Sequence, residues 1–164
     1  MLTVTSISGN IFHDKAYESL KDGNFERLKV SRSDLEKSRI RRQTDKGTDV
    51  GLSLVSGNIL HHGDVLSNDE KIIVVEQLPE KVISVRLKNN KTSQVDLLVL
   101  IGHIIGNRHR PISIKNDVIS FPIQADSELE VFQKLFAEVI DDIELSIEET
   151  IFNPHTGADV HDHG

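Results

Sequence analysis

Over the first half of the chain, apolar and polar residues alternate with a period of two in several short stretches, separated by turn residues. Residues 2–7 alternate as a strand, and residues 25–31 offer another, with Phe25, Leu28 and Val30 as its apolar positions. Residues 38–44 and 48–55 flank Asp45-Lys46-Gly47, a turn whose glycine supplies a positive φ. In the second arm Val50, Leu52 and Leu54 face one way, and Gly51 and Ser53 the other. His62-Gly63-Asp64 and Asn68-Asp69-Glu70 mark two further turns, around Val65-Leu66 and before residues 71–75. Turn signals at intervals of roughly ten residues predict a small all-β module, with one helical turn over residues 13–20.

Around Pro79 the pattern changes. Residues 82–87 alternate as a strand, and Ser93 with Asp96 then opens a capping-box pattern ahead of an apolar helix running to Ile105. Gly106 stands where a helix-ending glycine belongs. Residues 109–114 and 118–123 read as two strands joined at Asn116-Asp117. Asp126-Ser127 with Glu130 caps a second helix, whose apolar stripe is Leu129, Phe132, Leu135, Phe136, Val139 and Ile140. Ile143, Leu145 and Ile147 alternate in a last strand. The order βαββαβ is that of the ferredoxin-like split unit. The fold class is therefore α+β. A small all-β domain over residues 1–76 precedes a ferredoxin-like domain over 77–150, and residues 151–164 form a flexible, His-containing tail without periodicity.

The first predicted helix carries Leu97, Leu98, Val99, Leu100, Ile101, Ile104 and Ile105, which go most of the way round its circumference. A helix apolar all round is buried on both sides. In so small a domain the second side is most simply another copy of the chain, related by a two-fold axis; the alternative is that the β-rich domain covers it.

Composition narrows the chemistry. The chain has 164 residues, 37% hydrophobic and 27% charged, enough for real cores. No cysteine is present, so disulfides, thiolate metal sites and cysteine nucleophiles are excluded together. A net charge of −7 and a poverty of aromatics argue against nucleic acid as partner. The start, MLTVTSISGN, has no basic region followed by a long apolar stretch, and the longest apolar run falls far short of the roughly 18 residues of a membrane span. A cytoplasmic protein without membrane contact is the expectation. No phosphate loop, nucleophile elbow or His-Glu-x-x-His helix occurs, and the one His-Asp-His stretch lies on the tail, so no enzyme is expected. Of eight histidines, His155, His161 and His163 fall in the last ten residues, beside Asp159 and Asp162. Imidazole and carboxylate together suit Ni(II), Zn(II) or Cu(II). His161 and His163 are close enough in sequence to reach one ion from a flexible arm. Arg39, Arg41 and Arg42, with Lys37 and Arg32, form the one basic cluster of an acidic chain, a candidate docking patch for an acidic partner.

Gly106-Asn107-Arg108-His109 after an apolar helix resembles the signature of the urease accessory nickel chaperones, the UreE family. Residues 34–39 and 44–52 are similar to that family's first-domain pattern, as is Gly63-Asp64-Val65-Leu66. Phe152-Asn153-Pro154 with Gly157-Ala158 and the following histidines resembles its C-terminal hinge and tail. The resemblance implies a β-rich domain that contacts partners and a metal-binding domain through which two chains pair. It also implies delivery of Ni(II) to apo-urease together with an accessory GTPase complex. The family's interface ligand maps onto His109, and a two-fold contact through the preceding helix would bring its two copies together. His155, His161 and His163 are the source of remaining ligands, and His103 is a secondary candidate. Ile104 stands where many members carry a histidine, and residues 115–123 hold none, so one primary site per dimer is expected. Zn(II) and Cu(II) would compete with Ni(II) in vitro. A protein–protein adaptor of the urease activation complex with incidental metal binding, and a general nickel or zinc store, are the alternative functions.

Overall fold

The computed structural model describes residues 1–68, 70–88 and 94–155. Ser93 of the expected capping box, and His161 and His163 of the tail, lie outside the described residues. The chain forms two compact units, Met1–Leu78 and Pro79–Gly164. Its class is mixed α+β, as the patterning predicts.

The first unit contains β1 (Leu2–Val4), β2 (Gly9–Asn10), a 3-10 helix at Lys15–Asp22, β3 (Glu26–Val30), the single turn α1 (Arg32–Leu35), β4 (Arg39–Gln43), β5 (Asp49–Ser53), β6 (Asp64–Ser67) and β7 (Ile72–Gln77). The strands form two sheets, ordered β1-β5-β4 and β2-β6-β7-β3. The expected hairpin at Asp45-Lys46-Gly47 is the antiparallel pair β4–β5, closed by Gly47 at φ 85°. One core takes Val50 and Leu52 from the first sheet and Leu28, Val30, Ile73 and Val75 from the second. The opposite face of the second sheet buries Val65 and Val74 against Ile11 and Phe25, with Tyr17 and Leu20 of the 3-10 helix packed on them. Burial on both faces explains why β7 reads as a continuous apolar run instead of an alternating one. The helical turn expected over residues 13–20 is this 3-10 helix, displaced by two residues. α1 was not foreseen, although Ser31 caps it by accepting the Asp34 N–H at 3.2 Å, with the spacing of a capping box.

Gly63 has φ 87°, and a Cβ there would lie 2.4 Å from Cδ2 of Phe12 and 3.0 Å from Oδ1 of Asn10. Gly63→Ala is expected to destabilise the first unit by about 1–3 kcal/mol, from left-handed strain and overlap together. Urea unfolding of the full chain measures it; a change within experimental error would show that the turn relaxes freely. Neighbouring His62 stacks on Phe12 with centroids 5.3 Å apart, and its Nδ1 accepts the Gln77 N–H, so this histidine serves the fold.

The second unit contains β8 (Glu80–Leu87), α2 (Gln94–Asn107), β9 (Ser113–Lys115), β10 (Val118–Pro122), α3 (Glu128–Leu135), a 3-10 turn at Ile140–Asp142 and β11 (Ile143–Thr150). Its sheet runs β11-β8-β10-β9 with every neighbouring pair antiparallel. Asn116 and Asp117 both take positive φ, 50° and 62°, in the two-residue turn between β9 and β10. Ile83 and Val85 of β8, Ile101 and Ile105 of α2, Phe121 of β10, and Phe132 and Phe136 form the core. The Phe121 and Phe132 rings lie 4.5 Å apart.

Three local expectations are corrected. Gly106 does not end α2: the helix runs on through Asn107, and the left-handed position falls later, at His109. The strand expected from residue 109 begins only at Ser113, because that turn and Pro111, which lacks an N–H, keep the intervening chain out of the ladder. Ser127 makes no side-chain cap bond; the Glu128 carboxylate instead accepts the N–H groups of Gln124 and Ala125.

α2 buries Ile101 and Ile105 on the sheet. Its other face leaves Val95 and Val99 each 67% exposed, and Leu98 41%.

Candidate metal centre

The C-terminal end of α2 is a left-handed turn of the Schellman type. His109 donates its backbone N–H to the Gly106 carbonyl at 2.9 Å, and Arg110 donates to the Ile105 carbonyl at 3.5 Å. The residue between these closures is normally glycine; here it is His109 at φ 53°. A Cβ in this conformation costs about 1–2 kcal/mol. His109 is exposed, so the strained position holds an imidazole toward solvent just past the helix end. Backbone strain of this kind clusters at functional sites, which makes His109 a candidate.

Two further histidines lie near this turn in the chain or in space. His103, six residues earlier on α2, is exposed, and its Nε2 lies 3.1 Å from Nδ2 of Asn107. His155 follows β11 and the buried Phe152, and its backbone N–H donates to the Ile112 carbonyl at 2.6 Å. The C-terminal segment is thus tied three residues beyond His109. Among the described residues, no group of three or more His, Asp or Glu side chains is placed to hold a metal ion. What the described residues do show is that the backbone of His155 is tied to Ile112, close in sequence to His109.

A groove of about 720 Å³ runs between α2 and the β9–β10 hairpin, lined in part by Leu98, Gly102, Ile112 and Ile114. Gly102 and Gly106 face open space on α2, with nothing within 4 Å of where a Cβ would sit.

On its other flank the turn is held by a pair that motif reading missed. Arg110 donates from Nη1 to the Pro122 carbonyl at 2.9 Å and from Nη2 to the Glu128 carboxylate. Burial pushes the Glu128 carboxyl up, but the two backbone N–H groups and the guanidinium outweigh it and hold it below the ordinary value. Arg110 carried no signal beyond its adjacency to the motif, since its partners are distant in sequence.

The arginines of the first unit are not one patch. Strand alternation puts Arg39 and Arg41 on the face of β4 opposite the buried Ile40, whereas Arg42 lies on the other side. Arg41 pairs with Asp49 at 2.7 Å. Arg42 shares the buried Asp34 with Lys37, at 2.9 and 2.7 Å. Bonding to Lys37, and then to Arg42, outweighs burial and lowers the Asp34 carboxyl below the ordinary range. Much of this positive charge is already matched within the chain.

Comparison with known proteins gives these features a setting. Residues 4–77 match the UreE urease accessory protein N-terminal domain. The chain is 33% identical over 131 residues to the urease accessory protein UreE of Yersinia enterocolitica, covering 75% of this chain and 57% of that protein. Against the proteins of the same name from Yersinia bercovieri and Yersinia frederiksenii the identity is 32% over 131 residues, covering 58% and 55% of those proteins. The chain thus spans less than two thirds of the length of these curated relatives. These relatives carry the name of a urease accessory protein. Along three quarters of its length the chain is similar to the UreE urease accessory proteins, and the model of their N-terminal domain matches its first unit. No helix among the described residues is long and apolar enough to cross a membrane.

Proposed function

We propose that this chain is a cytoplasmic nickel metallochaperone. It works as a homodimer, carries Ni(II) as cargo at a site built around His109 of both copies, and delivers it to apo-urease with the accessory GTPase complex. The observation that carries this reading is the exposed imidazole held in a left-handed turn directly beyond a helix whose outer face is apolar and open. The βαββαβ order and the β11-β8-β10-β9 sheet support a ferredoxin-like reading of residues 77–150 as the pairing and metal-binding domain. Residues 1–76 would dock partners, with Arg39, Arg41 and Arg42 among the contacts. Val95, Leu98 and Val99 supply apolar surface for a second copy, and Gly102 and Gly106 allow its backbone close approach. His155 is the next ligand, tethered beside the turn, with His161 and His163 as further donors from the tail and His103 as a secondary one. An open ligand set suits a carrier, because a closed rigid site would not release its ion. Zn(II) or Cu(II) would occupy the same donors in vitro.

Sedimentation of the full chain combined with Ni(II) titration tests this. A dimer at micromolar concentration binding one tight ion per two chains is expected. Val99→Glu should give a folded monomer, because Val99 is exposed in the isolated chain, and should weaken nickel binding at least tenfold. A wild-type monomer, or undiminished affinity in monomeric Val99→Glu, would reject the shared site. Several independent weak ions per chain would indicate storage instead.

A further inference from the structure

A non-glycine residue stays left-handed only where both its flanks are fixed. Before His109 the flank is the helix end, through the bond to Gly106. After it, the flank is Arg110. The guanidinium reaches two different elements at once: the Pro122 carbonyl at the end of β10, and the Glu128 carboxylate at the start of α3. Pro122 pairs with Val82 of β8, so the first anchor belongs to the sheet. Glu128 is in turn fixed by the backbone N–H groups of Gln124 and Ala125. The side chains of Arg110 and Glu128 are only 25% and 20% exposed, which limits screening by solvent.

We propose that Arg110, braced by Glu128 and the Pro122 carbonyl, is a positioning residue for His109, a role that rests on reading His109 as a nickel ligand. It keeps the 109–110 peptide in one orientation, so that the imidazole leaves the surface in a single direction and two copies can meet at one ion. The chemistry calls for a guanidinium. Its planar fork donates to a carbonyl and a carboxylate together, whereas a lysine ammonium is a compact point charge that cannot reproduce that geometry. Groups that orient a metal ligand commonly change metal affinity by about 10–100-fold without touching the ion.

The test uses the full chain, Ni(II) chloride by calorimetric titration, and the 13Cα and 13Cβ shifts of residue 109, which report backbone handedness. Arg110→Ala and Arg110→Lys are expected to weaken nickel binding by about tenfold or more, with the residue 109 shifts leaving their left-handed values and the dimer mass unchanged. Glu128→Gln should shift affinity in the same direction by a smaller factor. A merely structural ion pair would be rescued by lysine; affinity within twofold of wild type in Arg110→Lys, or a residue 109 that stays left-handed in either Arg110 variant, would overturn the positioning role. His109→Ala, titrated alongside, separates the two failures: undiminished affinity there would remove the ligand reading, and this role with it. Should Arg110→Ala not fold, Arg110→Lys and Glu128→Gln still decide the matter.

Discussion

Nickel affinity is expected to fall by at least about a hundredfold when His109 is replaced, because a shared site loses the ligand from both chains and even outer partners of a ligand are worth 10–100-fold. His109→Ala alone confounds two effects, since alanine at φ 53° keeps the Cβ strain while losing the imidazole. His109→Gly separates them. Glycine is the residue a left-handed helix end favours, so this variant should be as stable as wild type or up to about 1 kcal/mol more stable, while binding nickel no better than the alanine variant. A gain in stability with a loss of binding would show that the histidine is kept at this position against the preference of the backbone. Calorimetric titration and thermal unfolding of both variants check it. Unchanged affinity in both would discard His109 as a ligand. Loss of the dimer in His109→Gly without metal present would move the role of this turn to assembly. Full urease activation at limiting nickel by a variant that binds none would favour an adaptor.

Local chemistry was readable where a few adjacent residues decide the backbone. Asp45-Lys46-Gly47 and Asn116-Asp117 each name a turn, and both hairpins are present. The apolar stripe expected of the second helix is buried or half-buried throughout but is not helical to its end. Phe136 and Val139 are buried, yet the helix stops at Leu135, because periodicity records which face is covered and not which backbone covers it. The excess of apolar residues on α2 was legible, and the exposed Val95, Leu98 and Val99 are its structural form. The basic cluster was legible only as composition. Its dispersal depends on the alternation of β4 and on Asp34 and Asp49, whose approach is a property of the folded unit. At the candidate centre the motif pointed to His109, but the left-handed turn needed the true helix end, two residues before it. Arg110 needed Pro122 and Glu128, which local pattern cannot bring together.

The largest stability effect is expected at a different place, where a buried carboxylate joins the two sheets of the first unit. Glu26 of β3 is 8% exposed. It accepts from Lys71 Nζ at 2.8 Å and from the Thr44 hydroxyl at 2.5 Å, and Lys71 also donates to the Thr48 hydroxyl at 2.7 Å. Thr44 and Thr48 flank the β4–β5 turn, so one carboxylate ties that hairpin to β3 and to the residue preceding β7. The bond from Lys71, followed by those from the threonines, lowers the Glu26 carboxyl to about 2 from an ordinary 4.5. A depressed carboxylate stabilises the fold fully above the unfolded value and loses that contribution as pH falls through the folded one. The Glu26 contribution, about 3 kcal/mol at neutral pH, should therefore disappear between pH 4.5 and about 2. Glu26→Gln should lower stability at pH 7 and flatten that part of the pH profile. Lys71→Ala should cost more, about 3–5 kcal/mol, because it strands a buried charge that the glutamine variant removes. In the double variant Lys71→Ala should then add little to Glu26→Gln, the coupling expected of one network. Urea unfolding at pH 7 and pH 3, with amide exchange followed in β3 and β5, measures each quantity. Additive losses with an unaltered acid profile would mean that apolar packing alone holds the hairpin to the second sheet.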